Sequence, residues 1–246
     1  MIKPWFTDEE WKQISLGYIK AVRLSCKDPE AQAWLDEVTS HRTNRLSYDE
    51  LYGSGKHEYV ELPPWQNMDA RLHQACQLIK MHDKHHVLDI GSRAGFLGYA
   101  CLEKGFIKSY TGVEIETKWY DACVRAAHPQ AQFYNCDYMD LDLTQQFDCI
   151  TILDTLEHVY DPQAVIEKTH RHLTKDGILI ISVPEDRSLV TEAEKEIMSG
   201  WKYLEHINYW LIDDMRALLE IHGYRLEQSL LTTGSWACRI YVAMKG

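Results

Sequence analysis

Short apolar runs recur along the last two thirds of the chain, at 86–90, 109–114, 132–135, 147–154 and 178–183, each of strand length. Between them, 96–104, 118–127 and 161–172 read as helices. Strands alternating with helices predict a parallel sheet covered on both sides. His128-Pro129 stops the second of these helices and Asp161-Pro162 opens the third. Thr174-Lys175-Asp176-Gly177 reads as a turn into the fifth strand, which ends at Pro184. A helix over 213–223 follows, with Gly223 as its cap. Runs at 224–231 and 236–244, joined at Thr233-Gly234, then read as two antiparallel strands. The expected architecture is a three-layer α/β domain with a sheet of roughly seven strands, mostly parallel. Its terminal antiparallel pair distinguishes it from a dehydrogenase half-domain.

Residues 1–83 have a different texture. Thr7-Asp8-Glu9-Glu10 is a capping box ahead of a helix to residue 25, and Asp28-Pro29 opens another toward residue 41. The stretch 42–66 is irregular and aromatic, with Tyr48, Tyr52, Tyr59 and Trp65, and is broken by Pro63-Pro64. A helix over 67–81 leads into the first strand. Two parts are therefore expected: a helical cap or lid over 1–83 and the α/β domain over 84–246.

Composition narrows the partners. The 246 residues are 45% hydrophobic, ordinary for a globular core, and no apolar run is long enough to span a bilayer. The N-terminus lacks the apolar core of a signal peptide, so a cytoplasmic protein without a membrane partner is expected. The seven cysteines stand singly, without a C-x-x-C pair, which suits neither a disulfide framework nor a zinc site. A net charge of −11 disfavours a nucleic-acid backbone as partner and favours a small-molecule substrate.

The chemistry-bearing stretch is Val87-Leu88-Asp89-Ile90-Gly91-Ser92-Arg93-Ala94-Gly95, followed by Val113-Glu114. Its order is strand, glycine-containing turn, helix and a second strand that ends in a carboxylate. Such an order builds a nucleoside pocket: the turn lets backbone approach a ligand and the carboxylate meets a ribose diol. Arg93 stands where the middle glycine of G-x-G-x-G is usual. Its backbone is expected to adopt a left-handed angle, at a cost of roughly 1 kcal/mol, or to reshape the turn.

These segments resemble the class I S-adenosylmethionine-dependent methyltransferases over about residues 84 to 245. Four carry the likeness: 87–95, 110–114, 147–159 with Leu156-Glu157-His158-Val159, and 173–184 with its closing Val183-Pro184. The last two, with Glu205-His206-Ile207-Asn208-Tyr209-Trp210, are similar to the subgroup that includes ubiquinone-biosynthesis O-methyltransferases. The resemblance implies a Rossmann-like methyltransferase fold and S-adenosylmethionine as cofactor, with S-adenosylhomocysteine as product. The donor-binding residues it implies are Asp89, Gly91, Ser92, Arg93, Gly95, Glu114, Ile115, Asp137, Tyr138 and Asp154. Glu114 would accept both ribose hydroxyls and Asp137 the adenine amino group, with Ile115 and Tyr138 against the adenine faces or in the core.

Methyl transfer to a hydroxyl needs alignment and a proton acceptor. His158 and His206 are the expected catalytic groups. Tyr48, Tyr52, Tyr59, Trp201 and Tyr209 are expected to line an acceptor pocket. If Asp154 begins a helical turn, Glu157 and His158 follow on one face. With His206 they would form a divalent-metal site resembling that of small-RNA 3′-end 2′-O-methyltransferases; the metal-free arrangement is favoured. Small-molecule O- or N-methylation is the expected activity. Metal-assisted RNA 2′-O-methylation and a non-catalytic, donor-binding regulator are the alternatives.

Overall fold

The computed structural model describes residues 27–33, 68–126, 128–184, 208, 210–232 and 238–246. Residues 29–33 are helical, and the Asp28 carboxylate accepts from the amides of Glu30 and Ala31, as the Asp28-Pro29 opening predicts. The remainder of the expected cap, except its last helix, lies outside the described residues.

That last helix, α1 (Ala70–Met81), starts at Asp69, whose side chain accepts from the Arg71 amide. The elements then run β1 (His86–Ile90), α2 (Phe96–Glu103), β2 (Ser109–Glu114), α3 (Thr117–Ala126), β3 (Ala131–Asn135), β4 (Phe147–Leu153), α4 (Pro162–His172), β5 (Leu173–Pro184), α5 (Ile212–Ile221), β6 (Tyr224–Thr232) and β7 (Cys238–Lys245). Two 3-10 turns, Tyr138–Asp140 and Leu156–His158, follow β3 and β4.

The strands form one sheet in the order β3-β2-β1-β4-β5-β7-β6. The first five are parallel, and β7 runs antiparallel to both β5 and β6, as the sequence pattern predicts. Side chains alternate across the pleat. Leu88 and Ile90 pack with Val165, Ile166, Met215 and Leu218 beneath α4 and α5. Val87 packs on the opposite face with Ala75, Cys76 and Ile79 of α1 and Leu97 and Cys101 of α2. The Tyr99 hydroxyl donates to the Cys123 carbonyl at 2.7 Å and fastens α2 to α3. Helix α1 is thus part of the sheet's core on that side.

One expected turn is corrected. Residues 174–177 do not separate α4 from the fifth strand: α4 passes directly into β5, and Leu173 already pairs with Phe147. Ile178 pairs with Cys149, so the intervening residues bulge within the strand. The Lys245 ammonium donates to the carbonyls of His170 and Leu173 and ties this corner down.

Candidate functional site

Chain order along the sheet reverses between β1 and β4, which leaves a crevice beyond their C-terminal ends. A cavity of about 550 Å3 fills that crevice, lined among others by Gly91, Arg93, Glu114, Asp137, Asp154 and His158.

The turn after β1 forms one wall. Gly91, Arg93 and Gly95 have φ of 76°, 45° and 74°. The left-handed backbone anticipated at Arg93 is therefore present. The amides of Gly91 and Ser92 donate to the Val113 carbonyl at 2.9 and 3.1 Å. The Arg93 amide donates to Glu114 Oε2 at 2.7 Å, and the Glu116 amide to Oε1 at 2.8 Å. Burial pushes the Glu114 carboxyl above its usual range, and these amide bonds and Arg93 pull the other way. A Cβ on Gly91 would come within 2.1 Å of Thr155 Oγ1, so that position admits only glycine. The Arg93 guanidinium lies 4.8 Å over the Trp119 ring. Ser92 is buried within the turn.

Asp89 takes a different place. Strand alternation turns it to the α1–α2 face, where it accepts from the Tyr110 hydroxyl at 2.5 Å and Thr151 Oγ1 at 2.6 Å. Burial pushes its carboxyl up to about 6, against the pull of those hydrogen bonds and the Arg71 charge. Asp89 braces the strands beneath the crevice and is not among the residues lining the cavity.

Residues 136–139, which follow the Asn135 paired with Glu114, form a second wall, with Ile115 beside them. Asp137 Oδ1 accepts from the Met139 amide at 2.8 Å and caps the first 3-10 turn. The Tyr138 ring belongs to the core below α4, and its hydroxyl meets His172 Nδ1 at 2.8 Å. Of the two places expected for Tyr138, core and adenine face, the side chain takes the core.

The turn after β4 departs from expectation. Asp154 does not begin a helical turn: its φ is 46°, and the 3-10 turn starts at Leu156. Its amide donates to Ser182 Oγ at 3.0 Å, and Ser182 Oγ donates back to Oδ1 at 2.6 Å. Oδ2 pairs with the Arg71 guanidinium. The Asp154 carboxylate is thus drawn toward Arg71 and Ser182, and its backbone does not carry it onto one face with Glu157 and His158. His158 lines the cavity, with Nε2 3.8 Å from the buried Glu157 carboxylate. Among the described residues no three His, Cys, Asp or Glu side chains gather as a metal site. His206, Tyr48, Tyr52, Tyr59, Trp201 and Tyr209 lie outside the described residues.

Several participants escaped the sequence reading. Arg71 sits on α1, far along the chain from its partner Asp154, and a lone arginine on a helix gives no signal. Asn208 is fully buried, and its side chain donates to the carbonyls of Leu156 and Val159 at 3.2 and 2.5 Å, which fixes the turn that carries His158. It lies inside the Glu205–Trp210 segment, two residues after His206. Trp119 opens α3 a few residues after Glu114, and that closeness was a usable signal.

A parallel sheet whose order reverses beside a turn closed by a strand-end carboxylate is of the Rossmann-like, nucleoside-binding class. Within that class the chain belongs to the methyltransferase domain family, whose profile matches residues 52–229, more than half of its length. A ubiquinone biosynthesis O-methyltransferase of Coxiella burnetii is 34% identical over 117 residues, 46% of this chain and 49% of that protein. The chain spans about half the length of the curated relatives it matches. Two solved structures share the fold. The Burkholderia thailandensis 1,6-didemethyltoxoflavin-N1-methyltransferase, with bound 1,6-didemethyltoxoflavin and S-adenosylhomocysteine, has a TM-score of 0.60 at 19% identity, covering 82% of this chain and 86% of that one. The Synechocystis magnesium protoporphyrin IX methyltransferase with bound S-adenosylhomocysteine has a TM-score of 0.56 at 20% identity, covering 86% and 97%.

Proposed function

We propose that this chain transfers a methyl group from S-adenosylmethionine to an oxygen or nitrogen of a small-molecule acceptor. The observation that carries the reading is Glu114, a buried carboxylate on the cavity wall, one oxygen of which holds the glycine turn at Arg93 and the other the Glu116 amide just after β2. Each oxygen keeps a lone pair for a ribose hydroxyl. The ubiquinone-biosynthesis relative and the fold shared with small-molecule methyltransferases support the same reading.

The residues present fit the donor. A cavity of about 550 Å3 is of the size that small ligands occupy. Asp137 stands for the adenine amino group, and Arg71 with Asp154 gives opposite charges for the donor's carboxylate and ammonium. When bound, S-adenosylmethionine would supply an electrophilic sulfonium methyl, which the acceptor atom takes in line as the carbon–sulfur bond breaks and S-adenosylhomocysteine leaves. His158, on the wall and beside Glu157, takes the acceptor's proton. His206 is a second candidate for that task. Tyr48, Tyr52 and Tyr59, within a proposed N-terminal cap whose last helix α1 packs on the sheet, are proposed acceptor-side groups together with Trp201 and Tyr209. Cytoplasmic action is proposed; no described helix is long and apolar enough to cross a membrane. The metal-assisted RNA alternative gains no support from an Asp154 already engaged by Arg71 and Ser182.

Calorimetric titration with S-adenosylhomocysteine tests the donor site, and a labelled-donor screen of small-metabolite extracts tests the transfer. Binding and label incorporation into a small molecule are expected. Absence of any binding heat at millimolar ligand would sink the reading.

A further inference from the structure

The wall at 136–139 has a second face, turned away from the cavity, and a buried lysine occupies it. Lys168 of α4 is 7% exposed. Its ammonium donates to the carbonyls of Tyr138, Met139 and Leu141 at 2.6, 3.0 and 2.5 Å. An ammonium has three N–H donors, and here every one meets a backbone carbonyl of a single short stretch. One helical turn further along α4, His172 meets the Tyr138 hydroxyl, and the Lys168 ammonium also lies 4.9 Å from the Tyr138 ring. Burying a cation is costly unless all its donors are satisfied. An apolar side chain would pack under the helix without that cost, but would take the lysine donor from the Met139 and Leu141 carbonyls and leave the Tyr138 carbonyl with the Leu141 amide.

The geometry points to Lys168 as the positioning residue that builds, before any ligand arrives, the wall that receives the donor's base. This rests on the donor-binding reading above. Cys136, Asp137, Tyr138 and Met139 line the cavity, while the carbonyls of Tyr138, Met139 and Leu141 are held from behind. On the ligand side, Asp137 Oδ1 accepts from the Met139 amide. Lys168 touches no ligand; it acts through the shape of this stretch, and pre-shaping a wall raises affinity by removing the ordering cost of binding.

Binding of S-adenosylhomocysteine by the wild-type chain is measured first, since its absence strikes the donor reading and not this inference. Lys168→Met, checked as folded by circular dichroism, is then expected to bind S-adenosylhomocysteine and methylthioadenosine about tenfold more weakly, by the same factor for both. Lys168→Arg, which keeps a cation and N–H donors, is expected to recover most of that loss. A folded Lys168→Met with wild-type affinity would overturn the inference. Hydrogen exchange on the ligand-free wild type gives a measure that does not depend on the variant folding. The amides of Met139, Asp140 and Leu141 are expected to be protected without ligand. Protection that appears only after ligand is added would overturn the inference too.

Discussion

The turns after β1 and after β4 meet at the same crevice, and each places one ordinary residue in the left-handed region, Arg93 at φ 45° and Asp154 at φ 46°. Each pays roughly 1 kcal/mol for that geometry. They are held in different ways. Arg93 is fixed through its backbone amide by the Glu114 carboxylate, and its side chain is left to rest on Trp119. Asp154 is held at its amide by Ser182 and also through its own side chain, by Ser182 and Arg71. A turn held through backbone alone tolerates exchange of its side chain, whereas a turn held partly through side chain does not. This explains how the middle position of a glycine turn can carry arginine and still keep the turn's form.

Breaking the partner that both functions share gives the largest effect. Glu114→Ala removes the acceptor of two amides and the proposed ribose contact, and is expected to weaken S-adenosylhomocysteine binding on the order of 100-fold by calorimetry. Asp154→Gly keeps the backbone angle but loses both pins, and a loss of about tenfold in the same titration is expected. Arg93→Gly is the matching change at the first turn, and there binding should stay within about threefold of wild type. Equal losses at the two sites would end the contrast.

The strands beneath both turns carry a pH signature. Asp89 has its carboxyl raised by burial to about 6 from 3.8, so its stabilising effect is full at acid pH and is lost as pH rises through 6. Urea unfolding of wild type relative to Asp89→Asn should therefore show roughly 1 to 2 kcal/mol less stability at pH 8 than at pH 5. An unchanged difference across that range would contradict the assignment. The smallest effect isolates the backbone itself. Arg93→Gly is expected to be more stable than Arg93→Ala by about 1 kcal/mol in urea, since both lose the Trp119 contact and only alanine keeps the strain.

Much of the scaffold was legible because periodicity and punctuation agreed. Strand-length runs marked every strand, Asp161-Pro162 marked the start of α4, and the carboxylate ending β2 marked the site by chemistry at a fixed place. The left-handed backbone at Arg93 was legible from the missing glycine. Asp89 could have been read better, because its alternation with Val87 already sends it to the α1–α2 face. Asp154 could not, since its direction is set by Arg71 and Ser182, both remote in sequence. Lys168 was equally silent: on an amphipathic helix a lysine reads as solvated, and only tertiary contact turns it toward three carbonyls. The bulge at 174–177 was hidden by turn-like residues inside a strand whose pairing begins earlier, at Leu173.

The close seat of Thr155 against Gly91 has a consequence for redesign. With no room there even for a methyl group, the two turns interlock like the halves of a fixed jaw. Enlarging the cavity from this side therefore begins with cutting back Thr155, whose side chain fills the volume a bulkier residue at 91 would need.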